Sequence, residues 1–213
     1  MSTEDSAPRA YRSALRERQA GETRRRIVEA SARLFAEQGY QATTMASVAR
    51  VAGVSTETVK AAASKAELLL AAFEVAFSGT EQAEGLADSE LGAGVMDVPD
   101  DVFADAVLER IVTANARGHA LWTVLLGAAL SDPVVDAALQ SILARRAADY
   151  RLLVSELRRR GLVGTGVDPD RAAAELSFLM SPEGYQQLVV QSGWSEQAYR
   201  AWLRDGVERV FGG

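Results

Sequence analysis

The chain of 213 residues contains no cysteine, a single histidine and only five prolines. Without cysteine there is no disulfide framework, no thiolate metal site and no cysteine nucleophile. No stretch approaches the roughly 18 consecutive apolar residues that a membrane-spanning helix needs, and the polar first ten residues lack the pattern of a signal peptide. These absences predict a cytoplasmic protein that has no membrane partner.

The sequence also lacks the residue clusters of common active sites. His119, the single histidine, has no Glu-x-x-His or His-x-x-x-His partner, so a histidine-based metal site or catalytic triad would be incomplete. Gly92 and Gly94 are not followed by the Lys-Ser or Lys-Thr of a phosphate-binding loop. We therefore predict no enzymatic activity, no cofactor and no bound metal.

The stretch from Thr44 to Lys65 has the pattern of two short helices joined by a turn. Thr44 suits the cap of the first helix, because its side chain can accept from the free N–H groups there. Gly53 suits a left-handed residue after that helix, and Ser55 can cap the next one immediately. A helix-turn-helix of this kind places the start of its second helix against base edges, although helical proteins without DNA also contain such pairs.

Charge is divided unevenly along the chain. Between Arg9 and Lys65 there are eleven Lys or Arg residues against five acids, a balance of +6. The whole chain has a net charge of −6, and two acids precede this stretch. The segment from Ala66 to Gly213 therefore has a net charge of −10. A basic face attracts the phosphate backbone, and here it coincides with the helix-turn-helix. The charge division therefore favours DNA binding by the N-terminal part of the chain alone.

Residues 24–59, RRRIVEASARLFAEQGYQATTMASVARVAGVSTETV, and the following SKAELLLAAFE resemble the N-terminal domain of the TetR family of transcriptional regulators. The specific features are a helix ending in LFAEQGY, a capping pair of threonines and the run VARVAGVS. One stretch departs from the family pattern, because residues 60–63 lack the tyrosine and the aromatic pair that usually follow the recognition helix. Lys60 could replace the tyrosine's phosphate contact with a point charge.

The resemblance and the motif together assign DNA contacts to particular residues. Base readout is expected from Thr56, Glu57 and Thr58 in the first turn of the recognition helix. Contacts that position the phosphate backbone are expected from the following residues: Arg24, Arg25, Arg26, Thr44, Ser55, Lys60 and Lys65. Glu57 either accepts a hydrogen bond from cytosine N4 or points away, because phosphate repels a carboxylate. The expected partner is double-stranded DNA with a pseudo-palindromic operator.

Helical periodicity after the motif predicts an all-α fold of about nine helices in two domains. Residues 1–21 are predicted as a flexible basic arm, which either enters a minor groove or is a solvated leader. Residues 22–66 form the predicted DNA-binding domain, and residues 67–213 a helical domain for effector binding and dimerisation. Within the second domain, separate helices are expected over 102–116 and 121–130, and one long helix over 133–160.

Large apolar and aromatic side chains in the second domain exceed what one packed face of each helix needs. They predict an effector pocket for a small apolar or aromatic molecule, lined by Phe77, Phe103, Val107, Ile111, Trp122, Leu126, Tyr150 and Val154. Arg117 and His119, with Trp122 and Tyr150, are the candidate polar groups of this pocket. A solid core without a cavity is the competing interpretation.

An apolar stripe on the last helix either seals the core or serves assembly. The resemblance implies a homodimer, and the expected interface residues are Leu176, Leu188, Tyr199, Trp202, Leu203 and Val210. The function expected from all these features is a sequence-specific transcriptional regulator, more often a repressor, released from its operator by a ligand. Two alternatives stay open, a helical protein-interaction adaptor and a small-molecule carrier without specific DNA binding.

Overall fold

A computed structural model describes residues 7–83, 85, 88–164 and 166–211, with side chains from Arg16 onward. The described part of the chain is helical with no strand, which confirms the predicted all-α fold. The chain divides into two compact units, Met1–Ala72 and Phe73–Gly213. The predicted boundary was Ala66, six residues before this division.

The first unit contains helices α1 (Ala7–Ala42), α2 (Met45–Ala52), α3 (Thr56–Ala62) and the first half of α4 (Lys65–Ser78). Its core is built from apolar residues that recur at helical spacing, because such residues line one face of each helix. The fully buried members with the largest side chains are Ile27, Phe35, Val48, Val59, Leu68 and Leu69.

Helix α1 corrects the predicted arm over residues 1–21, because it begins at Ala7. Residues 9–20 contain four arginines and three alanines, which are strong helix formers, so the composition favours a helix there. The described side chains from Arg16 to Glu22 are all exposed. Residues 1–6 of the predicted arm lie outside the described residues.

The turns of the first unit are set by two glycines with positive φ. Gly39 has φ 78° and ψ 177° and breaks the helical path near the end of α1. Gly53 has φ 67° and ψ 39°, and its N–H bonds to the carbonyl of Ala49 at the end of α2. A residue with a Cβ is strained in this region, so glycine makes the tight turn between α2 and α3 possible.

The second unit contains the end of α4, a short 3₁₀ turn (Val95–Asp97), and helices α5 (Asp100–Ala129), α6 (Pro133–Arg159) and α7 (Pro169–Leu179). A single turn, α8 (Pro182–Tyr185), runs into a π-helical turn (Gln186–Gln191), and α9 (Glu196–Phe211) follows. Helices α6, α7 and α8 each begin with a capping Asp or Ser followed by proline at the first helical position.

One continuous helix, α5, replaces the two helices predicted over 102–116 and 121–130. Gly118 suggested a helix end in the sequence, but it lies in the helix interior. A Cβ added at Gly118 would come within 2.7 Å of Cδ2 of Phe77. The glycine therefore allows the end of α4 to approach α5 closely, and does not end the helix.

Among the described residues, no helix is long and apolar enough to cross a membrane. The same part of the chain holds no group of three or more His, Cys, Asp or Glu side chains that could bind a metal ion.

Candidate nucleic-acid interface and effector cavity

The recognition helix α3 presents polar side chains to solvent. Val59 is fully buried and anchors the helix in the core of the first unit. Glu57, Thr58 and Lys60 are exposed, and Thr56 is partly exposed. The helix thus keeps its predicted readout residues accessible, while a single buried residue holds its position.

The start of α3 is organised by Ser55, which adopts extended backbone angles and caps the helix. Its Oγ accepts from the N–H of Thr58 at 3.0 Å and lies 3.0 Å from Oγ1 of Thr58. A hydrogen bond from its own backbone N–H, and then one from Ser55, keeps the pKa of the Glu57 carboxyl below its usual value. Glu57 is therefore charged at neutral pH and held at the first turn of α3.

Thr44 caps α2 through a reciprocal pair of hydrogen bonds. Its Oγ1 accepts from the N–H of Ser47 at 3.0 Å, and Oγ of Ser47 accepts from the N–H of Thr44 at 3.0 Å. Because the Thr44 hydroxyl acts as an acceptor in this cap, its own proton remains available to a phosphate oxygen. The predicted phosphate contact of Thr44 is compatible with its structural role.

The three arginines at 24–26 are not equivalent. Arg24 donates to the carbonyl of Ala62 at 3.4 Å, so it joins α1 to the end of the recognition helix. Arg25 forms ion pairs with Glu22 and Glu29 along the same helix face, at 2.6 and 2.5 Å. Arg26 is exposed and forms no ion pair with another described residue. Of the three, Arg26 is the side chain best able to contact phosphate.

Lys65 is held at the start of α4. Its Nζ lies 4.4 Å from the centre of the Tyr40 ring and donates to the carbonyl of Gln41 at 3.4 Å. The preceding Ser64 caps the helix, because its Oγ accepts from the N–H of Glu67 and its N–H donates to Oε2 of Glu67. These caps define the link between α3 and α4 in the stretch that lacks the family's aromatic residues.

The second unit encloses a cavity of about 440 Å³, which lies in the size range of small-molecule sites. Its wall comes from the end of α4, the loop before α5, and helices α5 and α6. Most of this wall is apolar, and its largest aromatic side chains are Phe73, Phe77, Phe103, Trp122 and Tyr150. Burial raises the pKa of Tyr150, which is therefore a neutral phenol at physiological pH.

Six of the eight residues predicted for the pocket line this cavity, namely Phe77, Phe103, Val107, Ile111, Trp122 and Tyr150. Leu126 does not line it, and Val154 lies fully buried in the core between α5, α6, α7 and α9. Their helical spacing places both residues on the apolar face of a helix. Spacing alone does not show whether such a residue lines the cavity or lies in the packed core.

Two predicted polar groups lie away from the cavity. His119 bonds through Nδ1 to Oε1 of Gln186 in the π-helical turn at 2.6 Å, and Arg117 is exposed. Neither side chain lines the cavity wall. They were chosen for their position near Trp122 in the sequence, whereas the helix carries them to other faces.

Phe73, which the sequence places with Phe77 at the ligand end of the connecting helix, lines the cavity wall, and so do Arg110 and Arg146, which were not predicted. A signal for both arginines exists, because Arg146 follows Ile142 and precedes Tyr150 at helical spacing, and Arg110 lies seven residues after Phe103. A charged residue in register with an apolar stripe faces the same side as that stripe.

The predicted dimer residues pack inside the protomer. Leu176, Tyr199 and Leu203 are fully buried, so they cannot reach a second copy directly. Trp202, Leu188 and Val210 are partly buried against the same core. A groove between α7 and α9 instead exposes Phe178, whose exposed fraction is 82%, beside Leu179 and Val210.

Residues 27–72 match the family model described as bacterial regulatory proteins of the tetR family. This range covers the helix-turn-helix and the first half of α4. No curated protein matches the sequence.

Solved structures share the fold over nearly the whole chain. A transcriptional regulator from Saccharomonospora viridis in complex with choline is 24% identical, with a TM-score of 0.68 over 88% of this chain and 96% of its own. A protein named as a TetR-family regulator from Rhodococcus sp. is 20% identical, with a TM-score of 0.67 over 90% and 99%. A third, named likewise, from Mesorhizobium loti is 21% identical, with a TM-score of 0.68 over 91% and 96%. Residues 27–72 therefore match the helix-turn-helix domain of the tetR family, and the chain as a whole shares the fold of these solved structures.

Proposed function

We propose that the protein is a homodimeric repressor that a small molecule releases from a pseudo-palindromic operator. The observation that carries this proposal is the presence of an exposed, polar recognition helix in one unit and of a mostly apolar cavity of about 440 Å³ in the other. A protein-interaction adaptor would not need the cavity. A carrier would not need the basic helix-turn-helix.

Helix α4 provides the route from ligand to DNA. Its residues Phe73 and Phe77 line the cavity, while Lys65 at its beginning belongs to the DNA-binding unit. A ligand that favours one position of this helix shifts the DNA-competent population, and a tenfold loss of DNA affinity requires about 1.4 kcal/mol of difference. The Saccharomonospora viridis protein holds choline, which supports small-molecule binding by this fold.

The central experiment selects operator sequences from random DNA and footprints the best one. We expect two inverted half-sites with centres about 34 Å apart, bound by a dimer in light scattering. A single unrepeated site bound by a monomer would contradict the proposal. Binding to bulk DNA should fall steeply with salt because counterions are released, whereas an adaptor or carrier would show no such slope.

The dimer interface is proposed to include Phe178 on the groove between α7 and α9. Phe178→Glu should convert the dimer to monomers and abolish operator binding, because a charge would be buried at the interface. Leu130→Glu is the matched control, since Leu130 is 90% exposed at the end of α5. An equal effect of both variants would argue against this interface.

The effector role is tested by Trp122→Ala in an operator-release assay. We expect this variant to bind the operator normally but to lose its response to an apolar or aromatic effector. Thermal stabilisation of the wild-type protein by a panel of such molecules supplies the effector candidates. A response unchanged in Trp122→Ala would remove the cavity from the proposal and leave the DNA-binding dimer.

A further inference from the structure

Three hydrogen-bond donors on the cavity wall have no hydrogen-bond partner among the residues that the structure describes. They are Nε1 of Trp122, Nε of Arg110 and Nη1 of Arg146, all of which are buried. A buried donor without an acceptor costs free energy, so an unpaired set at a cavity calls for an explanation in function. All three groups donate and none accepts, which restricts what can satisfy them.

Two of these donors belong to one corner of the cavity. The guanidinium carbon of Arg146 lies 5.5 Å from the centre of the Trp122 ring, and Trp122 is only 2% exposed. A cation above the ring uses the π face, whereas the indole N–H lies in the ring plane. The stacking leaves the indole N–H free to donate, so this corner of the cavity offers two donors of its own, one from each residue.

The acidic residues on the same wall are already engaged. Glu74 accepts from Arg145 at 3.3 Å and from the N–H of Gln82 at 2.9 Å. Glu156 accepts from Arg159 and Arg160, and Asp149 also interacts within the protein. Within the part of the chain that the structure describes, Arg110 and Arg146 form no ion pair.

An apolar part of the wall adjoins this corner. Phe73 stacks on Phe77, with ring centres 5.3 Å apart, and Phe73 also packs 5.5 Å from Trp122. Phe103, Val107 and Ile111 continue the wall along α5. The cavity therefore has an apolar part next to a corner that carries positive charge and unpaired hydrogen-bond donors.

We propose that the effector is an organic acid, whose carboxylate accepts hydrogen bonds from Arg146 and Trp122 and whose aliphatic or aromatic body fills the apolar part. Carboxylates suit guanidinium donors in charge and in geometry. A quaternary ammonium would instead bring a second positive charge to an unpaired guanidinium. This inference rests on the proposed function only in taking the cavity as the effector site.

The test compares three probes of one shape: 4-phenylbutyrate, 4-phenylbutanamide and 4-phenylbutyl-trimethylammonium. Calorimetry on the full chain without DNA measures each affinity at neutral pH. We expect the acid to bind at least about tenfold more tightly than the amide, which corresponds to about 1.4 kcal/mol. Equal binding of acid and amide, tighter binding of the ammonium, or no binding of the acid at millimolar concentration would overturn the proposal.

Variants test which residues cause the acid to bind more tightly than the amide. Arg146→Gln should remove the advantage of the acid while the amide binds as before, and Arg146→Lys should restore part of it. Trp122→Phe, which keeps an aromatic ring and loses the donor, should reduce the advantage. Arg159→Gln is the matched control, because Arg159 lies on the same wall and Glu156 retains Arg160. If the acid still bound more tightly than the amide in Arg146→Gln, Arg146 would not be the partner of the carboxylate.

The two proposals fail in different assays. If the acid binds through Arg146 but does not release DNA, the ligand class stands and ligand-controlled repression falls. If a neutral or cationic molecule releases DNA through this cavity, repression stands and the organic acid is excluded.

Discussion

Arginine serves the two units of this protein in different ways. In the first unit, Arg26, Arg33 and Arg50 are exposed and form no ion pair with a described residue. In the second unit, several arginines pair with acids, some of them on other elements, as Arg204 does with Asp105 and Arg200 with Glu109. A free exposed cation suits a partner outside the protein, whereas a paired one adds little to binding.

This difference also separates what local sequence can reveal from what it cannot. Basic side chains that serve an external anion need no partner within the fold, so their count along the chain is informative by itself. The arginines of the second unit act on residues up to 99 positions away, and only the fold brings those together.

The largest expected effect concerns the independence of the two units. Phe35→Ala should destabilise the first unit by about 3–5 kcal/mol, because Phe35 is fully buried there. All three tryptophans, at 122, 194 and 202, lie in the second unit. For Phe35→Ala, circular dichroism should therefore show that part of the helix is lost at a lower urea concentration than in the wild-type protein. The urea midpoint of the tryptophan fluorescence transition should not change.

Leu203→Ala is the reciprocal variant, since Leu203 is fully buried in the second unit. It should move the fluorescence transition to lower urea. If Phe35→Ala moved both transitions equally, the two units would unfold in one cooperative step. They would then not be independently stable parts of the protein.

The next effect concerns specificity. Glu57→Gln should relax the preference at one base pair of each half-site by about 1–3 kcal/mol, because an amide loses the strict acceptor character of the carboxylate. Selection from random DNA measures the change. Thr123→Ser, on an exposed face of α5, provides a variant that should leave the selected sequence unaltered.

Removing a free cation should weaken binding without changing the sequence preference. Lys60→Ala should lower affinity for all DNA sequences alike and reduce the log–log salt slope by about one. Arg171→Ala is the control, because Arg171 is exposed in the second unit and pairs with Glu175. A changed operator preference in Lys60→Ala would instead assign base readout to Lys60.

The smallest expected effect is on the acid stability of the second unit. Hydrogen bonds from Arg159 and Arg160 lower the pKa of Glu156 to about 2. Because the folded pKa is depressed, this contribution to stability is present above the unfolded value of about 4.5 and is lost as pH falls toward 2. Glu156→Gln should flatten the loss of stability over this window in fluorescence-monitored unfolding, and an unchanged pH profile would exclude the effect.

The features predicted well from the sequence are those with short-range causes. Ser55 begins α3, and Asp132 begins α6 at the predicted residue 133, because each side chain caps N–H groups two or three residues later. Apolar spacing likewise brought six predicted residues to the cavity wall. Each of these inferences needs only neighbours within one or two helical turns.

The failures have long-range causes. Gly118 suggested a helix end, although it serves close packing against Phe77 from another helix. Tyr199 and Leu203 suggested an interface, because an apolar stripe has the same pattern whether its own chain or a second copy covers it. Arg146 lies in register with Ile142 and Tyr150, but this spacing does not show that a cavity lies beside the stripe.

The close approach at Gly118 has a mechanical consequence for α4. Phe77 lies where any side chain on Gly118 would be, so no free space separates the end of α4 from α5 at this point. Closely packed interfaces transmit displacement, because they cannot compress to absorb it. A shift of α5 toward α4 would therefore displace Phe77 as well, so the missing side chain at Gly118 couples the position of α5 to the end of α4.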